Sequence, residues 1–184
     1  LHASQWGIID PHDSPDGGNI GLHKHLAIFT HITSGEYSKQ MISKIRSMGM
    51  KFLEECTRVY LANATKIFIN GNWIGVANNP KEIMAELLQQ RRTGQINPYN
   101  SISWNISENC IYIFTDEGRP CRPIYYINNE INKISYQDSS VYDDLIQNNA
   151  SWKECLFGKS GQQGGGVIEY MDAMAAENSY IALK

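Results

Sequence analysis

Apolar positions along the chain recur with two spacings, and each predicts a different element. From Ser38 to Ser47, Met41, Ile42, Ile45 and Met48 fall on one face at helical spacing, and Gly49 suits the terminus. The clearest helix runs from Pro80 to Arg92. Asn79 stands at its N-cap, Pro80 at the first helical position, and Glu82 completes a capping box. Ile83, Met84, Leu87 and Leu88 form its apolar stripe, Arg91 and Arg92 sit favourably in the last turn, and Gly94 ends it. Leu22, Leu26, Ile28 and Phe29 predict a short helix within 22–32, whose end is also compatible with a strand.

The second spacing is alternation. "KIFINGNWIGVA" (66–77) places Asn70-Gly71 between two β-rich runs, the strongest short-range hairpin signal. Ser101 to Ile106 alternates, with Ile102, Trp104 and Ile106 on one side. Cys110 to Thr115 and Cys121 to Ile127 read as two further strands joined by a turn at "DEGRP" (116–120). Residues 128–165 are rich in Asn, Gln, Ser and Gly and carry one short helix near Val141 to Gln147. "GKSGQQGGG" (158–166) has the composition of a flexible link, and "VIEYMDA" (167–173) resumes as a strand. Residues 1–21 are a series of turns, with Gly7, Pro11, Pro15, Gly17, Gly18 and Gly21. The predicted class is α+β: a mostly antiparallel sheet with two or three helices, preceded by a turn-rich segment. No internal repeat is present.

Composition narrows the function classes. The chain has 184 residues, 42% hydrophobic and 19% charged, which fits one domain or a small pair. A chain of this size buries roughly 70% of its unfolded surface, enough for a core without staples. The net charge of -3 argues against a free-standing nucleic-acid binder, so any such contact is local. Cys56, Cys110, Cys121 and Cys155 lie far apart without a CxxC pair, which disfavours a zinc site and a disulfide framework. No apolar run reaches membrane-spanning length, and no signal-peptide pattern is present. Because the sequence opens on Leu1 inside patterned sequence, we expect a piece of a longer polypeptide.

Several chemical signals dissolve on inspection. "GKS" at 158–160 lacks the upstream glycine of a phosphate loop, since position 153 is Lys. His23, His25 and His31 have no zinc-ligand spacing and no thiolate or carboxylate pair to join them. Asp10, Asp13 and Asp16 stand among prolines and glycines, where aspartate builds turns more often than it holds magnesium. No G-x-S-x-G elbow exists. Arg119 and Arg122 flank Pro120 and Cys121, where guanidinium groups meet either a phosphate or, more commonly, a neighbouring carboxylate.

Three stretches taken together carry a family resemblance. "LHASQWGIIDPHDSPDGGNIGLHKHLA" is similar to a motif of the second-largest subunit of multisubunit DNA-dependent RNA polymerases. That motif runs His, aromatic-Gly, Pro, an acidic residue before Thr-Pro-Glu-Gly, then Gly-Leu and a basic-apolar segment. "IFINGNWIGVANNPKEIMAELLQQRRTGQINPYNSISWNISENCIYIFTDEGRPCRPIYYI" resembles the external domain that follows, and "GGVIEYMDA" the strand that closes it. The order and spacings match over most of the chain, least over 36–62 and 128–165. The eukaryotic, archaeal and large-DNA-virus branch fits better than the bacterial one. "SPDGGNIG" for "TPEGQACG", with the Asn- and Ile-rich composition, points to a giant-virus enzyme.

The resemblance implies a division of the chain. Residues 1–62 are the end of the fork with a following helix, 63–130 the external α+β domain, 131–165 a variable linker, and 166–184 the return strand. It also places the turn-rich segment near the active centre, the downstream duplex and the RNA–DNA hybrid. There Gly17 and Gly21 allow close backbone approach. Asp16 matches a family Glu, one methylene shorter, and Asp16 and Asn19 are expected to pair with basic groups elsewhere in the enzyme. Lys24 matches a basic position beside phosphate, and Arg119 and Arg122 are expected at a subunit contact or salt bridge. The implied partners are the largest subunit, the rest of the second-largest subunit, and template DNA with its hybrid, with no membrane. No catalytic or metal residue is expected here: magnesium is held mainly by the largest subunit and zinc elsewhere in this one. The expected location is the nucleus, or a virion or viral factory if viral. The alternative is a non-enzymatic protein-interaction module.

Overall fold

A computed structural model of the chain describes residues 2–128, 133–137, 140–158 and 165–182. After the turn-rich segment come β1 (His31–Ser34), α1 (Ser38–Ser47), β2 (Lys51–Phe52), α2 (Arg58–Asn63), β3 (Thr65–Ile69) and β4 (Asn72–Ala77). There follow α3 (Pro80–Arg92), β5 (Ser101–Asn105), β6 (Cys110–Phe114), β7 (Glu117–Tyr125), β8 (Ile127–Asn128) and β9 (Lys133–Ile134). α4 (Val141–Ile146), α5 (Trp152–Phe157), β10 (Ile168–Asp172) and α6 (Ala173–Glu177) complete the order. The class is α+β, with six helices among the described residues, four of them shorter than the pattern-rich α1 and α3.

The strands form a five-stranded sheet ordered β2-β4-β3-β6-β5, a three-stranded sheet ordered β1-β7-β10, and a small β8-β9 pair. All pairings are antiparallel except β3 with β6, where Ile67 stands beside Ile111 and Ile69 beside Ile113. The β3–β4 hairpin turns on Asn70 and Gly71, both at positive φ (49° and 80°), as a primed turn between right-twisted strands requires.

Alternation puts Ile67 and Ile69 of β3 and Ile111 and Ile113 of β6 on one face of the five-stranded sheet. That face packs with Met41 and Ile45 of α1 and Ile83 and Leu87 of α3 into the main core. The hydrophobic core therefore runs across position 62. A second cluster joins Val141, Cys155, Leu156, Val167 and Ile168.

Four local expectations change. No helix forms within 22–30; Leu26 instead bridges Ile9, and the chain enters β1 at His31. Leu22, Leu26, Ile28 and Phe29 are exposed, so there is no packed surface to support an amphipathic helix. "DEGRP" is not a hairpin turn: β7 runs through it into the other sheet, and the register shift between Ile32 and Ser34 on β1 absorbs the irregularity. Asn79 holds the N-cap of α3 without capping it. Its amide donates instead to Glu82 Oε2 at 3.0 Å and to the Met48 carbonyl at 3.4 Å. Ile106 lies past the end of β5 and is exposed. Within 158–166, residues 159–164 fall outside the described residues. The four cysteines are free thiols, and no described helix is long and apolar enough to cross a membrane.

Candidate functional site

The turn-rich segment is a ribbon built from backbone hydrogen bonds. Asp10 N–H donates to the His25 carbonyl at 2.9 Å and Ala27 N–H to the Ile8 carbonyl at 2.8 Å. Thr30 Oγ1 donates to the Ile8 carbonyl at 2.8 Å. The loop between these stretches is tightened locally. Gly21 N–H donates to Ser14 Oγ at 3.3 Å, His12 N–H to Asp10 Oδ1 at 2.9 Å, and His25 Nδ1 lies 3.4 Å from Asp13 Oδ2.

Asp16, Gly17, Asn19, Gly21 and Lys24 all lie on this loop and all are exposed. Gly17 and Gly21 have φ of 73° and 77°, a region that glycine enters without strain, and a β-carbon at either would meet nothing within 4 Å. Asp16 and Lys24 make no side-chain hydrogen bond or ion pair with the described residues. Only Ile8 is buried within 2–32, while Trp6, Ile20, Leu22, Leu26, Ile28, Phe29 and Ile32 are exposed. The structure thus carries the five predicted residues on one exposed loop, where the side chains of Asp16, Asn19 and Lys24 find no partner among the described residues.

Arg119 and Arg122, three positions apart on β7 and so on opposite faces of it, have opposite environments. Arg119 is saturated. Its Nε donates to Asp116 Oδ1 at 2.8 Å, its Nη1 to Asp172 Oδ2 at 2.8 Å, and its Nη2 to the carbonyls of Tyr99 and Phe114 at 3.0 and 3.2 Å. Arg122 makes no hydrogen bond or ion pair with any described residue; its side chain lies along the backbone of Gly7. Half-burial pushes its pKa below the ordinary arginine value through desolvation alone.

Three polar clusters escaped the sequence reading. Asp172 accepts from Ser101 Oγ at 2.7 Å and from Ala175 N–H at 2.9 Å, so one carboxylate caps α6 and ties β10 to β5. Glu169 is clasped by Arg91 and Arg92, and Arg92 stacks 3.6 Å from the ring centre of Tyr126. Tyr126 donates to the Gly166 carbonyl at 2.7 Å, and burial raises its pKa. The rings of His31 and Tyr99 stack at 4.1 Å, with Tyr170 alongside Tyr99 at 4.7 Å. In sequence, the partners of each cluster lie on distant elements.

No group of three His, Cys, Asp or Glu side chains converges as metal ligands would among the described residues. Asp10 builds a turn by accepting from His12 N–H. Cys121 is buried against the His31 carbonyl (3.3 Å), and burial pushes its pKa up to about 11, which keeps the thiol protonated rather than nucleophilic. Two surface depressions, one bounded by Glu36, Pro98, Tyr99 and Phe157 and the other by Ser47, Asn79, Glu82 and Gln90, pair no nucleophile with a base.

Residues 1–32 match the family described as RNA polymerase Rpb2, domain 3, and residues 67–128 match RNA polymerase Rpb2, domain 4. The whole chain is 32% identical over 190 residues to DNA-directed RNA polymerase II subunit RPB2 of Schizosaccharomyces pombe, covering 16% of that protein. It is 32% identical over 184 residues (99% of the chain, 15% of the relative) to DNA-directed RNA polymerase III subunit RPC2 of Drosophila melanogaster. Over 183 residues it is 31% identical to DNA-directed RNA polymerase II subunit 2 of Arabidopsis thaliana, covering 15% of that protein. The chain thus spans about a sixth of the length of these relatives. They come from cellular eukaryotes and lend no support to a viral origin.

Proposed function

We propose, from the premise that this chain belongs to the family of second-largest subunits of DNA-directed RNA polymerase, that it is an architectural piece of a nuclear enzyme that copies DNA into RNA. In that enzyme the RNA 3′-hydroxyl attacks the α-phosphorus of a ribonucleoside triphosphate and pyrophosphate leaves. The chain's own residues are assigned no bond-making part in that step. Magnesium is assigned to the largest subunit, and zinc to another part of this one.

The role of the chain is to shape the cleft and to supply outer surface. The 13–26 loop faces the cleft. Asp16 and Asn19 meet basic groups of the largest subunit or of the rest of this one, and Lys24 sits beside a phosphate of the template or hybrid. Gly17 and Gly21 keep the backbone approachable where a side chain would stand between it and its neighbour. Arg119 locks β7 to β10 in the external part of the chain. The observation that carries this reading is the exposed ribbon itself: the side chains of Asp16, Asn19 and Lys24 have no partner among the described residues, in the stretch that matches domain 3.

The test uses the full-length subunit carrying Gly17→Val and Gly21→Val. It is co-expressed with the largest subunit and assayed for capture and for template-directed RNA synthesis. Loss of capture or synthesis with intact circular dichroism supports the loop as a cleft element. Unchanged capture and synthesis would move the contact to the external domain. A wild-type subunit that captures no largest subunit would favour a protein-interaction module.

A further inference from the structure

Arg122 has an arginine's hydrogen-bonding capacity and no acceptor for it among the described residues. Its aliphatic stem and Nε run along Gly7, whose φ of 70° suits glycine; a β-carbon there would come within 2.6 Å of Cδ and 3.3 Å of Nη1. The neighbouring pair on the same face is Met171 of β10, which offers no acceptor. The contrast with Arg119, whose donors are met by Asp116, Asp172 and two carbonyls, shows that β7 does not leave guanidinium groups open as a rule. A half-buried cation without an acceptor is costly, and such groups are normally paired.

The surroundings describe what is missing. The ribbon over Arg122 exposes Trp6, Leu26, Ile28 and Phe29, side chains that favour a dehydrated protein contact. Lys24 is the single Lys or Arg in residues 2–32, against three aspartates, so a phosphate held there would find no second cation along the apolar ribbon beside Arg122. The stretch buries only Ile8, so it lacks a core of its own, and most of a relative's length lies outside the part matched here.

We propose that Arg122 is one half of an interrupted ion pair, its missing half being an Asp or Glu carboxylate from a segment of the same subunit outside residues 1–184 that also covers the apolar ribbon. Gly7 is the cradle that aims the guanidinium at that carboxylate. The proposal rests on the polymerase-subunit reading.

The test uses the full-length subunit carrying Arg122→Lys, alone and assembled with its partners, treated with a water-soluble carbodiimide. The reagent joins an amine to a carboxylate only when the two are in contact, taking up the water that is lost. Arg46→Lys, opposite the Glu55 that Arg46 contacts, is the control for the chemistry. A peptide bond between the introduced amine and an Asp or Glu of the same subunit outside 1–184, found by mass spectrometry in both samples and absent from wild type, is the expected result. Linkage to Asp10, Asp13 or Asp16, or no linkage while the control reacts, overturns the proposal. A linkage to another subunit, formed only after assembly, overturns the assignment to this subunit. Protection of the amine from acylation that depends on added DNA–RNA scaffold would assign it to phosphate instead. Failure to assemble or to synthesise RNA would count against the polymerase reading, whereas the linkage in the isolated subunit still decides the role of Arg122.

Discussion

Arg119 on β7 donates from Nη1 to Oδ2 of Asp172 on β10 at 2.8 Å, while the other oxygen of Asp172 accepts from Ser101 of β5 at 2.7 Å. One carboxylate therefore fastens the three-stranded sheet to the five-stranded one. It also caps α6 through Ala175 N–H. Arg119 closes the arrangement from the other side by reaching the Phe114 carbonyl at the end of β6.

Asp172→Ala removes the cap, the inter-sheet tie and one of the two carboxylates on Arg119, which keeps Asp116 and two carbonyls, so a loss of about 1–3 kcal/mol is expected in urea unfolding. Arg119→Lys keeps the charge but cannot reach four acceptors at once, and should recover little of the loss suffered by Arg119→Ala. Equal stability of the lysine variant and wild type would mean that charge alone matters here.

Leu87 of α3 is fully buried against the sheet. Leu87→Ala should cost about 2–5 kcal/mol, with an unchanged denaturant slope. Leu88→Ala, one position off the buried line, should cost clearly less.

Gly75 on β4 has no room for a side chain: an added β-carbon would press into the Lys51 carbonyl and lie 2.9 Å from Met50 Cγ. Gly75→Ala should displace β2 and lower stability by about 1–3 kcal/mol. Gly18→Ala, with nothing within 4 Å, should stay within about 0.5 kcal/mol of wild type. Thermal melts of the two variants side by side make the comparison.

Burial raises the Cys121 pKa from 9.0 to about 11, so the folded state favours the protonated thiol. The contribution of that group to stability is full below pH 9.0, the unfolded value, and is lost as pH climbs through about 11. Alkylation of Cys121 should remain slow until that range, and the urea midpoint should fall between the two values. Cys121→Ser, which lacks the titration, should show a shallower decline.

Elements carried by local pattern were legible in the sequence. The hairpin at Asn70-Gly71 and the helices at 38–47 and 80–92 follow from turn chemistry and from stripes that meet a core. Elements decided at long range were not. Arg91 reads as a last-turn cation, yet it is buried on Glu169, 78 positions away, and extends the stripe of Ile83 and Leu87. The stretch 22–30 has helix-like spacing and no surface to pack on, so its periodicity misleads. Lys24, Asp16 and Asn19 were found only through the resemblance, because an exposed polar turn looks the same whether or not it has a partner.

The strand β1 has a consequence for synthesis. Thr33 Oγ1 donates to the Asp116 carbonyl, 83 positions later, and β10 adds to β7 later still. A ribosome therefore releases the five strands from β2 to β6 before β1 has anywhere to go. During that interval the ribbon of 2–30 trails as an apolar tether, and it is anchored only when β7 arrives. The order of emergence lets the five-stranded sheet close before the three-stranded one, which waits for β10.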